Sequence, residues 1–143
     1  MKKILIFILM IFHSPFANSE PERIFALTIL GEARNQGQDG MRAVAQVILN
    51  RSKDRGIAPD AVCMQQGQFD CWNHFNVNAW RECPKASNVA DALAAFVCND
   101  IDVGKDLISD RTHYYAHDTC FPYWAESATD QVIIGDHTFI TAD

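Results

Sequence analysis

Apolar residues in the first third of the chain fall on a helical period. Between residues 22 and 33, Ile24, Leu27 and Gly31 recur at steps of three and four, and Phe25 and Ile29 widen the stripe. Pro21 suits a first turn, so the pattern predicts a helix ending near Ala33. Asn35 to Gly40 is loop by composition. Asp39 is placed to cap a second helix running to about Lys53, and the wide apolar face of Met41, Val44, Ala45, Val47 and Ile48 marks it as a core helix. Gly56 to Pro59 ends it. Residues 60 to 85 mix Cys, Asn, Gln and aromatics without a period, which predicts a short helical turn and then a long surface segment tied by disulfides. Ser87 is placed to cap a third helix from Asn88 to about Cys98, with Val89, Leu93, Phe96 and Val97 inward.

After Gly104 the period changes. Thr112 to Ala116 is β-prone, and Val132-Ile133-Ile134 and His137 to Ile140 flank Gly135-Asp136, whose leading glycine fits a two-residue hairpin turn. Helices first and strands last predict an α+β fold: N-terminal helices followed by a C-terminal antiparallel hairpin or sheet.

The first nineteen residues have a different character. Lys2 and Lys3 precede an apolar run from Ile4 to Phe12, Ser14-Pro15 break it, and Ala17-Asn18-Ser19 offers small residues for cleavage. Residues 1–19 are therefore expected to be a secretory signal peptide, since the run is too short to span a bilayer. Residues 20–143 then form one domain in an exported, periplasmic or secreted protein, with no membrane association after cleavage. Removing the two leader lysines takes the formal net charge from −6 to −8. An acidic domain without clustered Lys and Arg is a poor partner for nucleic acid or anionic lipid. All five cysteines (Cys63, Cys71, Cys83, Cys98 and Cys120) lie in the exported part, where two disulfides and one leftover thiol are the simple expectation, with the pairing open.

Glu32 is the residue that most needs a reason. It lies four residues after Thr28 and seven after Phe25, on their face and at the C-terminal end of the predicted helix. There the helix dipole and the apolar neighbours both disfavour the charged form. A carboxylic acid kept protonated can give its proton to a leaving oxygen, as cleavage of a glycosidic bond requires. The plain alternative is a helix-end glutamate that reaches solvent or pairs with Arg34. His113, His117 and Cys120 suggest zinc, but on a strand residues four apart stand about 13 Å apart, too far for one ion. No Gly-x-Ser-x-Gly elbow is present. Phe69, Trp72, Trp80, Tyr114, Tyr115, Tyr123 and Trp124 form a heavy aromatic set beside amides such as Gln68, suited to core packing or to stacking on the apolar faces of sugar rings.

Several segments together resemble a known family. Leu30-Gly31-Glu32-Ala33-Arg34 and Gly40-Met41 leading into Ala45-Gln46-Val47-Ile48-Leu49-Asn50-Arg51 resemble the opening of the cell wall hydrolase family typified by the spore cortex-lytic enzyme SleB. Gln68-Phe69-Asp70-Cys71-Trp72 resembles its middle motif, with Asp70 where the family usually has serine. Thr112-His113-Tyr114-Tyr115, Pro122-Tyr123-Trp124-Ala125 and Ile134-Gly135-Asp136-His137-Thr138-Phe139 resemble its closing strands. The resemblance implies a small lysozyme-like domain that cuts the β-1,4 bond between N-acetylmuramic acid and N-acetylglucosamine in peptidoglycan glycan strands. It implies Glu32 as the catalytic acid, with Gln68, Phe69, Trp72, His113, Tyr114, Tyr115, Trp124 and His137 expected to bind substrate, and Tyr114, which matches the family's strand tyrosine, expected to orient either that acid or the sugar. No second carboxylate stands out as a nucleophile, which suits a lytic transglycosylase needing no metal and no cofactor. The readings weighed against this are a zinc amidase cutting the muramoyl-alanine bond and a non-catalytic glycan-binding module. The domain is expected to find its substrate unaided or through a protein partner.

Overall fold

The computed structural model describes residues 20–73 and 106–141. Four helices precede a small sheet: α1 (Glu20–Ala33), α2 (Gly37–Arg55), α3 (Pro59–Met64) and α4 (Asp70–Asn73), then β1 (His113–Ala116), a 3-10 turn (Tyr123–Ala125), β2 (Gln131–Ile134) and β3 (His137–Ile140). The order is that of the expected α+β fold. The expected third helix around 88–98 lies outside the described residues. So do Trp80, Cys83, Cys98 and the leader.

The long helices form where the periodicity placed them, with one difference at the start of α2. Asp39 lies inside the first turn rather than at the cap, and its carboxylate accepts a hydrogen bond from the Arg42 guanidinium at 2.9 Å. Gln36 holds the cap position but makes no side-chain cap bond, because its amide has a tertiary partner. Gln36 Nε2 donates to Asp136 Oδ2 at 3.0 Å and its Oε1 accepts from the Asp136 amide at 2.7 Å, which pins the β2–β3 turn to the head of α2. Gly135 leads that turn at φ 59°, which favours glycine, and a Cβ there would push the Gln36 amide off its bonds to Asp136. Gly56 closes α2 in the left-handed conformation, its amide donating to the Ser52 carbonyl.

The core lies between α1, α2, α3 and one face of the sheet. Leu27, Ile29, Val44, Val47, Ile48, Val62, Phe69, Ile108 and Phe139 are all essentially inaccessible. Strand order is β1-β3-β2, fully antiparallel, with Tyr114 opposite Phe139 and Val132 opposite Phe139 on the other side. Alternation then places Tyr114, His137 and Phe139 toward the helices, while Tyr115 and Ile140 pack against Ala125 and Trp124 on the far face.

Polar side chains of α2 hold the segment that leads into β1. Gln46 Oε1 accepts from the Leu107 amide at 3.0 Å, and Asn50 Nδ2 donates to the carbonyls of Ser109 and Arg111 at 2.9 and 2.8 Å. Arg51 Nε donates to the Thr112 carbonyl at 2.7 Å. These bonds satisfy loop carbonyls that would otherwise be partly buried without partners, and they set the height of β1 against α1. No helix among the described residues is long and apolar enough to cross a membrane.

Candidate active site

Glu32 is the second-last residue of α1 and stands at the wall of a cleft of about 350 Å³. Its carboxyl is held from two directions. The Cys71 amide donates to Oε1 at 3.0 Å; it belongs to the first turn of α4, where an N–H has no partner within the helix. The Tyr114 hydroxyl donates to Oε2 at 2.8 Å from the middle of β1. Three elements far apart in sequence thus converge on one carboxyl group. Glu32 is half-buried in the cleft wall and its carboxyl is held by these two donors rather than by Arg34.

Tyr114 is a dependable donor. Burial first, then the nearby Glu32 charge and its hydrogen bond, raise its phenol well above the usual tyrosine value. Its ring lies 4.9 Å from His137 and 5.6 Å from Phe139, centroid to centroid, which fixes the hydroxyl's direction. His137 is 7% exposed and its Nδ1 is buried without a hydrogen-bond partner among the described residues. Burial lowers its pKa, with Glu32 and Asp136 opposing, so the ring is neutral at pH 7.

Arg51 completes the inner wall. It is 7% exposed, its Nη1 donates to Gln68 Oε1 at 3.4 Å, and its guanidinium lies 5.3 Å over the Phe69 ring. Burial lowers its proton affinity below the usual arginine value and the neighbouring Tyr114 and Glu32 restore part of it, so a cation faces the cleft near the carboxyl. The Ala45–Arg51 segment resembles a family motif, but sequence alone assigns Arg51 no role. A charge four residues after Val47, on the apolar face of a core helix, was the available signal.

The cleft follows the open edge of β1. The His117 amide donates to the Asp136 carbonyl at 3.1 Å, which sets the phase of the β1–β3 ladder. Tyr115 then bonds toward β3, and the backbone groups of Tyr114 and Ala116 point outward. The Ala116 carbonyl accepts from the Thr119 and Cys120 amides, each at 3.1 Å, turning the chain around the cleft toward Pro122 and Trp124.

Of the residues expected to bind substrate, Gln68, Tyr114, Tyr115, Trp124 and His137 line this cleft with Glu32. Phe69, Trp72 and His113 do not. Phe69 is a core residue at 2% exposure. Trp72 is buried with its indole N–H donating to Thr28 Oγ1 at 2.8 Å, so its polar edge is used inside the protein. His113 sits on the other face of β1, its ring 5.5 Å from Trp124. Asp70 also lines the cleft and is exposed. Among the described residues no disulfide forms: of the five cysteines expected to supply two bridges, Cys63, Cys71 and Cys120 are free thiols, and Cys83 and Cys98 lie outside the described residues. Cys63 is sealed in the core, where burial pushes its thiol up to about 12, and Cys120 lies exposed at the cleft rim. Among the described residues no group of three or more His, Cys, Asp or Glu side chains is arranged to share a metal ion.

Residues 35–140 match the family described as Cell Wall Hydrolase. The chain belongs to that family. As a cell wall hydrolase it carries Tyr114 and the α4 amide within the matched span, while Glu32, which they hold, lies just before it. The fold is similar to that of the catalytic domain of the germination-specific lytic transglycosylase SleB from Bacillus anthracis. The TM-score is 0.65 and the identity 24%, covering 89% of this chain and 99% of that one. A search of curated proteins by sequence returns no match.

Proposed function

We propose that the protein is an exported lytic transglycosylase that cleaves the β-1,4 bond between N-acetylmuramic acid and N-acetylglucosamine, with Glu32 as its single acid and base. The observation that carries this reading is the Glu32 carboxyl in the cleft wall, held by the Cys71 amide and the Tyr114 hydroxyl in a cell wall hydrolase. The likeness to the fold of a lytic transglycosylase supports it. So does the signal-peptide character of residues 1–19, cut after Ser19.

In the first step the Glu32 carboxyl proton moves to the glycosidic oxygen as the bond from that oxygen to the muramoyl C1 breaks, and the departing N-acetylglucosamine leaves as an alcohol. The carboxylate left behind is stabilised by the two donated hydrogen bonds and by the Arg51 cation nearby. In the second step Glu32 takes the proton of the muramoyl C6 hydroxyl while O6 bonds to C1, closing the 1,6-anhydro ring and restoring the acid. No water is consumed. Gln68, Tyr115, Trp124 and His137 contact the sugars, and the outward N–H and C=O of Tyr114 on the β1 edge suit an acetamido group, which carries one donor and one acceptor.

The test is Glu32→Gln, which keeps the shape but cannot supply the proton. Muropeptide release from purified sacculi should stop while circular dichroism and melting stay close to wild type. Mass spectrometry of the wild-type products should show sugars lighter by one water than hydrolysed ones. Full activity in the variant refutes the acid assignment, and hydrolysed ends refute the ring closure.

A further inference from the structure

Two aromatic side chains stand in solvent beside the cleft with no role in the site described above. Phe121 is 63% exposed and Tyr123 is 83% exposed. They are chain neighbours of Cys120, Pro122 and Trp124, which line the cleft, so they flank its rim. Phe121 is not loose. It packs edge-on to Tyr115 at 5.8 Å, and Tyr115 packs edge-on to Trp124 at 5.9 Å. A continuous run of rings therefore leads from the buried Tyr115 to the surface, with Pro122 stiffening the backbone between the exposed pair.

We infer that Phe121 and Tyr123 form an outer sugar-binding lip that takes the part of a glycan strand extending beyond the cleft. This rests on the glycan-cleaving reading above. The cleft, at about 350 Å³, is near the lower end of the range for a pocket that encloses one small molecule, so a polysaccharide has to leave it across a rim. This rim has the chemistry for it: residues 119–125, Thr-Cys-Phe-Pro-Tyr-Trp-Ala, carry no charge, and ring faces match the C–H faces of neutral pyranoses. Each sugar needs one ring. A stable protein partner, by contrast, needs some 800 Å² and about twenty residues on each side, far more than two side chains offer.

The experiment compares Phe121→Ala, Tyr123→Ala and the double variant with wild type on glycan strands sorted by length. The shortest strand that wild type cleaves serves as the reference. The double variant should cleave that strand at the wild-type rate and lose about tenfold in kcat/KM on the longest strands, while Phe121→Tyr keeps the length preference. Wild-type turnover of long strands by the double variant, or an equal loss at every length, overturns the proposal. So does loss of binding to a protein with no change in length dependence. The same comparison run as binding of long strands, with both chains also carrying Glu32→Gln, requires no turnover. A wrong assignment of Glu32 would therefore show as activity in that variant, and a wrong assignment of the lip as unchanged strand affinity.

Discussion

Replacing Tyr114 with Phe removes one oxygen and little else. The ring contacts with His137 and Phe139 survive, and the vacated side of Glu32 opens on a cleft that water reaches, so the fold should lose no more than about 1 kcal/mol. Catalysis should lose more, because the 2.8 Å bond from the phenol strengthens as Glu32 changes from acid to carboxylate. A hydrogen bond to a charged group is worth about 1.5–3 kcal/mol against about 0.5–1.5 for a neutral one. The difference, about 1–1.5 kcal/mol, appears only when the proton has moved, and it corresponds to a fall of roughly 5- to 15-fold in kcat. Since the bond touches the acid and not the sugar, KM should stay near wild type. Initial rates of muropeptide release from sacculi at several substrate loadings measure both quantities. A rate within twofold of wild type would show that the phenol does not support the charge. A selective rise in KM would show that Tyr114 binds sugar instead.

The remaining expectations concern the scaffold. Trp72→Phe should lower stability by about 1–3 kcal/mol, since Thr28 Oγ1 loses its indole donor and the smaller ring leaves space, with substrate affinity unchanged; denaturant unfolding and strand binding test the two halves separately. His113 and His137 are both held below the usual 6.5, chiefly by burial. Each stays neutral in the fold where the unfolded chain already takes up a proton, so the stability they contribute is present above pH 6.5 and is lost as pH falls through their lower folded values. The melting temperature of wild type should drop on acidification, and that of His137→Gln should drop less; parallel curves refute this. With an alkylating reagent on the native protein, Cys120 should be modified before Cys71 and Cys63, read by peptide mass spectrometry, because it is exposed while burial raises the other two thiols. Early labelling of Cys63 would contradict its place in the core.

The sequence by itself determined the local elements of this protein and singled out Glu32 as the candidate acid. Steps of three and four in α1 and α2, the β-prone composition of β1 to β3 and the leading glycine at 135 are short-range signals, and each depends on residues within a turn or a hairpin of one another. The position of Glu32 at the end of an apolar helix was legible for the same reason. Of its partners, Tyr114 was suggested only through the family resemblance and the Cys71 amide not at all. The Cys71 amide and the Tyr114 hydroxyl come from 39 and 82 residues away: α4 presents the first, and the docking of the segment before β1 by Gln46, Asn50 and Arg51 brings the second to the carboxyl. Tertiary packing also divided the aromatic set, sending Phe69 and Trp72 to the core and Tyr115 and Trp124 to the cleft, because an amphipathic ring satisfies either environment and burial is settled by what packs against it. It likewise pulled Gln36 away from capping α2 to hold the hairpin turn, and it kept three cysteines apart as thiols where compartment alone suggested disulfides. Helical period and β-prone composition are written in neighbours; a site assembled from α1, α4 and β1 exists only once those elements meet.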